Sequence, residues 1–164
     1  MSVVERRGSI TLHFSESALI LPALPHPKLD VLCLNDGWID SIDFDYSMEG
    51  KCELCLGKAV EPEEVRAEED RVDARCLELR LPRLGRQHSE YLCLNQSHVP
   101  LLATPKIDRI WFRGLRVIEK DTGGTYYPVL FRQRPHGKFT KWRCGWGHDF
   151  DDHTHNDRIA FAKR

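Results

Sequence analysis

The amino-acid sequence predicts an α+β fold in a single compact domain, mostly antiparallel β-sheet with one charged surface helix at about residues 61–75. Three observations lead to this prediction. Apolar residues alternate with period two in several short segments that are bounded by turn residues. One segment is long, charged and free of glycine, as an exposed helix requires. The length of 164 residues is typical of one domain, and we find no internal boundary in the range 1–164.

The first 50 residues contain four predicted strands. Segment 9–14 alternates polar and apolar residues, and segment 18–21 is a short apolar run. Segment 31–34 precedes an Asn-Asp-Gly turn signal, and segment 38–47 alternates again.

The predicted helix begins at Glu61 and ends at Arg75. Pro62 suits the first turn, where its missing N–H costs nothing, and the acidic side chains that follow suit the positive end of the helix dipole. Val65 and Val72 give it only a thin apolar stripe. We therefore expect a helix that lies on the surface of the sheet.

Strands resume after the predicted helix. Leucines alternate at positions 77–81, and segments 91–94 and 107–120 have strand composition. The sequence Asp-Thr-Gly-Gly at 121–124 is a strong turn signal, because glycine reaches the positive φ of tight hairpin turns. Segment 125–132 is expected to return as the partner strand, and segment 139–143 is expected to add one more.

Composition excludes two classes of protein. Hydrophobic residues make up 41% and charged residues 30% of the chain, which is too apolar for a disordered chain and too charged for a membrane-spanning one. The net charge is −1, but residues 1–79 hold nine more acids than bases and residues 80–143 nine more bases than acids. Either one surface meets an anionic partner, or the two halves pack together and neutralise each other.

Six cysteines in a chain of this length, with no apolar leader, favour a reducing cytoplasm. Cys52-Glu-Leu-Cys55 has the spacing with which two thiolates bind one zinc ion, and glycines flank it. The best second pair of ligands is Cys144 and His148, and the runners-up are Cys93 with His98, Cys76, and the histidines at 153 and 155. The sequence therefore predicts a structural zinc at Cys52, Cys55, Cys144 and His148, with ordinary thiols or a redox dithiol as the alternatives.

The segment 132–143 interleaves basic and aromatic residues. Basic side chains bind phosphates and aromatic rings stack on bases, so this composition suits single-stranded nucleic acid. Arginines of the preceding strand extend the set. The predicted nucleic-acid-binding residues are Arg109, Arg113, Arg132, Arg134, Lys138, Lys141, Trp142 and Arg143. The alternative is a basic loop whose aromatic residues belong to the core.

These features favour a non-enzymatic, cytoplasmic binding module, stabilised by zinc, that engages nucleic acid or a nucleoprotein. Such a module would suit an accessory protein of a phage or other mobile element. A protein partner bound through the acidic segment 61–73 is an alternative, and no membrane partner is expected. A second hypothesis is a divalent-metal hydrolase or nuclease whose carboxylates and imidazoles hold the ion that activates water, with the ligands Asp149, Asp151, His153 and His155.

Overall fold

The structure is a computed structural model of the chain, and it consists mainly of β-strands. It describes residues 3–7, 10–14, 19–21, 32, 34, 36–46, 52–58, 66–67, 76–77, 82–95, 107–132, 142–148, 153–154 and 156–163. The strands in these residues are β1 (Val3–Arg7), β2 (Ile10–Phe14), β3 (Leu19–Leu21), β4 (Ile39–Asp45), β5 (Cys52–Lys58), β6 (Arg66–Ala67), β7 (Arg109–Trp111), β8 (Leu115–Glu119), β9 (Thr125–Arg132), β10 (Trp142–His148), β11 (His153–Thr154) and β12 (Asp157–Lys163). Helix α1 spans Arg86–Leu94.

Ten of these strands form one curled, mixed sheet with the order β1-β2-β5-β12-β7-β9-β8-β4, in which β10 also pairs with β9 and β3 with β5. The neighbours are antiparallel except β12 and β7, which run parallel. Strand β9 is paired on both edges, with β10 along one edge and with β7 and β8 on the other. The predicted α+β fold is therefore wrong, since the described chain is mostly β and its sheet is mixed.

The predicted surface helix at 61–75 is also wrong where the structure describes it. Residues Arg66–Ala67 form strand β6, which pairs with β11 in a separate two-stranded sheet. The other residues of that range lie outside the described part of the chain. Helix propensity is a weak prior without a wide apolar stripe to bury, and here the backbone pairs with another strand instead.

Helix α1 occupies residues for which the sequence predicted a strand at 91–94. Leu92 and four polar residues before it are buried in α1. Because most of the buried residues are polar, the pattern of apolar residues in the sequence does not indicate a buried helix face. A carboxylate from another element begins the helix, because Asp45 Oδ1 accepts the Arg86 N–H at 3.2 Å. At its end Asn95 donates to the Tyr91 carbonyl through both its N–H and its side-chain amide.

Several predicted strands are confirmed. Segments 10–14, 19–21 and 39–45 are β2, β3 and β4. Leu32 and Leu34 lie in turns, and Leu77, the one described residue of the segment 77–81, is helical, so the strand predictions are wrong at these residues.

The hairpin at 121–124 is confirmed. Gly123 has φ 71°, and its N–H donates to the Glu119 carbonyl at 3.1 Å. The next hydrogen bond runs from the Glu119 N–H to the Gly124 carbonyl at 2.8 Å. This left-handed residue in the turn is what the sequence signal predicted.

The two faces of the central sheet carry different cores. On one face Ile110, Leu130 and Trp142 pack with Leu84 and Leu92 from the segment of α1. On the opposite face Trp111, Tyr127 and Val129 form a second cluster, against which Phe44 and Phe131 pack. This second face carries the site described below.

His88 is expected to make the protein acid-sensitive. It is 1% exposed, and burial lowers the pKa of its imidazole below 6.5, an effect that Asp45 partly opposes. As the pH falls, the unfolded chain therefore binds a proton near pH 6.5, whereas the folded chain binds it only at lower pH. The contribution of His88 to the free energy of unfolding is fully present above pH 6.5. Below pH 6.5 the free energy of unfolding should fall, by at most about 1.4 kcal/mol per pH unit.

Urea unfolding at pH 7.5 and 5.5 tests this expectation, with His88→Gln as the variant that cannot titrate. The variant should lose less stability than the wild type between the two pH values. An equal loss in both proteins would contradict the assignment to His88.

Candidate ligand-binding cleft

A cleft of about 580 Å³ opens on the second face of the sheet, at the end of β9 where β7 and β12 begin. Its volume lies in the range of small-molecule sites, about 300–1,000 Å³. Its lining includes Asp108, Arg109, Trp111, Phe131, Arg132, Trp146, Thr154 and Asp157.

Strand register explains why most of these side chains share one face. Arg109 lies opposite Phe131, and Asp157 pairs with Arg109 on its other side. Trp111 occurs two residues after Arg109 and lies opposite Val129. Residues that pair across strands, or occur two apart in one strand, project from the same face of the sheet.

An arginine–carboxylate pair forms one wall of the cleft. The Arg109 Nε and Nη2 atoms donate to the two oxygens of Asp157 at 2.8 and 2.7 Å. Asp157 is 1% exposed and also accepts the Thr154 N–H at 2.9 Å. The guanidinium carbon of Arg109 lies 5.3 Å from the centre of the Trp111 ring. Bidentate pairs of this kind fix both partners in orientation.

Two glycines of β10 let aromatic rings lie against the strand. A Cβ at Gly147 would lie 2.3 Å from ring atoms of Trp111, and one at Gly145 would lie 2.7 Å from Cε1 of Phe131. Neither contact is possible for a larger residue without movement of the ring. The sequence Cys-Gly-Trp-Gly-His therefore provides the space for the aromatic floor of the cleft.

The charges of Arg109 and Asp157 cancel on this face of the sheet. Arg132 also borders the cleft, but it occurs two residues after Leu130, so its side chain lies on the first face. The Arg132 guanidinium carbon lies 4.7 Å from the centre of the Trp142 ring, and Arg132 is 7% exposed. The cleft thus presents donors, acceptors and ring faces without a net charge.

The structure brings some of the predicted nucleic-acid-binding residues together. Arg109 and Arg132 line the cleft, and exposed Arg143 lies opposite Phe131 on the same face. Arg113 is instead buried, 4.3 Å from the centre of the Tyr127 ring, and Trp142 is a core residue. Arg134, Lys138 and Lys141 lie outside the described residues.

Of the four predicted zinc ligands, Cys55, Cys144 and His148 are not brought together, and the side chain of Cys52 lies outside the described part of the chain. Both Cys52 and Cys55 lie in β5 rather than in a turn, and Cys55 is buried opposite Phe161. Cys144 forms a disulfide with Cys93, whose Cα lies 5.9 Å away. His148, four residues further along β10, has its ring 4.7 Å from that of Tyr126. In the described ranges no group of three or more His, Cys, Asp or Glu residues could hold a metal, and zinc stays a prediction for the chain.

The residues of the hydrolase hypothesis are largely outside the described part of the chain. Asp149, Asp151 and His155 are not described, and His153 is described only as part of the backbone of β11. Of the acidic segment 61–73 only β6 is described. Both hypotheses therefore stay predictions.

Comparison with known proteins yields no assignment. Neither the protein-family models, nor the curated proteins, nor the solved structures contain a match to this chain. In the ranges that the structure describes, no helix is long and apolar enough to cross a membrane.

Sequence reasoning missed most of the cleft. Trp111, Phe131 and Asp157 were not singled out, although Arg-Ile-Trp at 109–111 has the alternation that puts an arginine and a ring on one face. Asp157 had no local signal, because its partner is 48 residues away in the sequence.

Proposed function

We propose that the protein is a non-enzymatic module that binds single-stranded nucleic acid through this cleft. The observation that carries the proposal is the meeting of Arg109 with the half-buried side chain of Phe131 at one open cavity, beside exposed Arg143. Aromatic rings that accept bases, combined with guanidinium groups, are the usual composition of single-strand binding sites.

The geometry favours a single strand over a duplex. A base can reach ring faces inside a cleft only when it is unstacked and unpaired. The ring atoms that a base can meet here are those of Phe131, which is half-buried. A paired base would have to leave its duplex, at a cost of a few kcal/mol, before it could meet them.

Exposed Arg143 could contact the sugar–phosphate backbone of a nucleic acid beside the cleft. It lies on the face of Phe131 and is not a cleft-lining residue, so a phosphate next to a base in the cleft could reach it. The basic segment 133–141 connects β9 to β10 and supplies further positive charge in the sequence. Each phosphate contact releases counterions, so binding should weaken steeply as salt rises.

Fluorescence anisotropy with labelled single strands of about 12 nucleotides, in DNA and in RNA, tests the proposal. Single strands should bind more tightly than the matching duplex at the same salt. Arg143→Ala should lower the magnitude of the slope of log affinity against log salt by about 0.7. The control is Lys120→Ala, which removes an exposed charge at the opposite end of β9 and should leave binding unchanged. Equal affinity for duplex and single strand, or no binding at all, would overturn the proposal.

A further inference from the structure

We infer that the cleft is a pocket for one unstacked nucleobase, whose phosphates stay outside it. This inference rests on the proposed function and specifies which part of the nucleic acid enters the cavity. Three properties of the cleft lead to it: its charge balance, its fixed polar wall and its aromatic floor.

The charge balance points to the base and away from the phosphate. A phosphate pocket needs an excess of donors and positive charge, whereas here the Asp157 carboxylate neutralises the Arg109 guanidinium. A carboxylate close to a phosphate would repel it. A nucleobase is uncharged and offers both donors and acceptors on its edges, which matches carboxylate and guanidinium groups side by side.

The polar wall is fixed before any ligand arrives. Asp157 holds the Arg109 guanidinium by two hydrogen bonds and is itself held by the Thr154 N–H. Little side-chain freedom is therefore lost when a base docks against Arg109, and preorganisation of this kind raises affinity. A flexible arginine on the surface could instead change its rotamer to reach a phosphate.

The aromatic floor supplies the stacking surface. The Phe131 ring rests against Gly145 of β10, whereas Trp111, which rests against Gly147, is fully buried and does not itself face a ligand. Phe131 is half-buried and lies between Arg109 and Arg143 in the register of the strands. A base stacked on Phe131 would thus have the fixed polar wall on one side and the exposed arginine on the other.

Ligands that lack a base provide the sharpest test, because they require no change in the protein. Tryptophan fluorescence, to which Trp111 next to the Arg109 wall contributes, would be titrated with the nucleoside monophosphates and with ribose 5-phosphate. We expect the nucleotides to bind at least about 10-fold more tightly than ribose 5-phosphate, since stacking on an aromatic side chain contributes about 5- to 150-fold per base. Equal binding of the two kinds of ligand would overturn the inference.

Anisotropy with oligonucleotides separates this inference from the proposed function. Single strands in which every base is removed should bind at least about 10-fold more weakly than intact strands. If intact and abasic strands bind equally, the base pocket is wrong and single-strand binding stands. If no strand binds but the mononucleotides do, the base pocket stands and single-strand binding is wrong. If neither binds, both are wrong.

A variant pair adds a readout on the protein. Phe131→Leu keeps an apolar side chain against Gly145 and removes the ring, so nucleotide affinity should fall about 5- to 150-fold. Tyr46→Leu removes a ring that is 48% exposed beyond the end of β4 and does not line the cleft. Affinity should not change in that control, and an equal fall in both variants would contradict the assignment to Phe131.

Discussion

Loss of the disulfide between Cys93 and Cys144 is expected to lower the free energy of unfolding by about 2–4 kcal/mol. The bond links α1 to β10 across 51 residues of sequence. A cross-link that closes a loop of this length removes much of the conformational freedom of the unfolded chain, and the chain-entropy estimate for it is about 4 kcal/mol. Helix α1 would still pack on the sheet without the bond, but the unfolded chain would have more conformational entropy, so unfolding would cost less free energy.

Urea unfolding of the oxidised protein, the reduced protein and the double variant Cys93→Ala/Cys144→Ala measures this effect. Cys55 and Cys76 are buried thiols outside this bond, and the double variant retains them, so its response to reductant reports any effect of other cysteines. The reduced protein and the double variant should both unfold at lower urea, and added reductant should not change the double variant. A midpoint that does not respond to reductant in the wild type would rule out a stabilising bond.

Gly114→Ala is expected to destabilise the protein by about 3 kcal/mol through overpacking. A Cβ at this position would lie 2.6 Å from the carbonyl oxygen of Arg83 and 2.6 Å from the carbonyl carbon of Leu84. These are backbone atoms of the segment that leads into α1, so no rotamer change can relieve the contact. The Gly114 N–H also donates to the Leu84 carbonyl at 3.1 Å, and this hydrogen bond would be stretched as the segments separate.

Gly37→Ala is the matched control, because a Cβ there would meet nothing within 4 Å. Its free energy of unfolding should stay within about 0.5 kcal/mol of the wild type, as is usual for open surface positions. Thermal and urea unfolding of both variants provide the comparison. If Gly114→Ala were as stable as Gly37→Ala, the close approach of the two segments would be wrong.

The parts of the fold that local sequence encodes were predictable. The hairpin at Gly123 needed only a turn signal between two β-rich segments, and strand β2 needed only alternation. Helix α1 could not be found in this way, because its buried face includes Gln87, His88 and Glu90. Their burial depends on contacts with distant elements, and local periodicity of apolar residues does not record it.

The parallel pair β12–β7 and the cleft could not be predicted from the sequence for the same reason. Asp157 becomes the partner of Arg109 only because the two strands lie side by side with Asp157 opposite Arg109. Register between distant segments depends on the whole sheet, so a single sequence does not reveal it. The arginines were singled out for their charge, whereas burial of Arg113 and Arg132 was a tertiary effect.

The position of β12 has a consequence for the order of folding. Among the described strands it lies between β5 and β7 and so joins the part of the sheet built from residues 3–21 and 52–58 to the part built from residues 39–45 and 109–148. Residues 157–163 leave the ribosome after all of these strands. Until they emerge, the two parts of the sheet have no shared strand, and β5 and β7 each present an open edge to the nascent chain's surroundings. Completion of the sheet is therefore a late, long-range event in synthesis, and chains interrupted before Asp157 would carry two edges open to pairing with other chains.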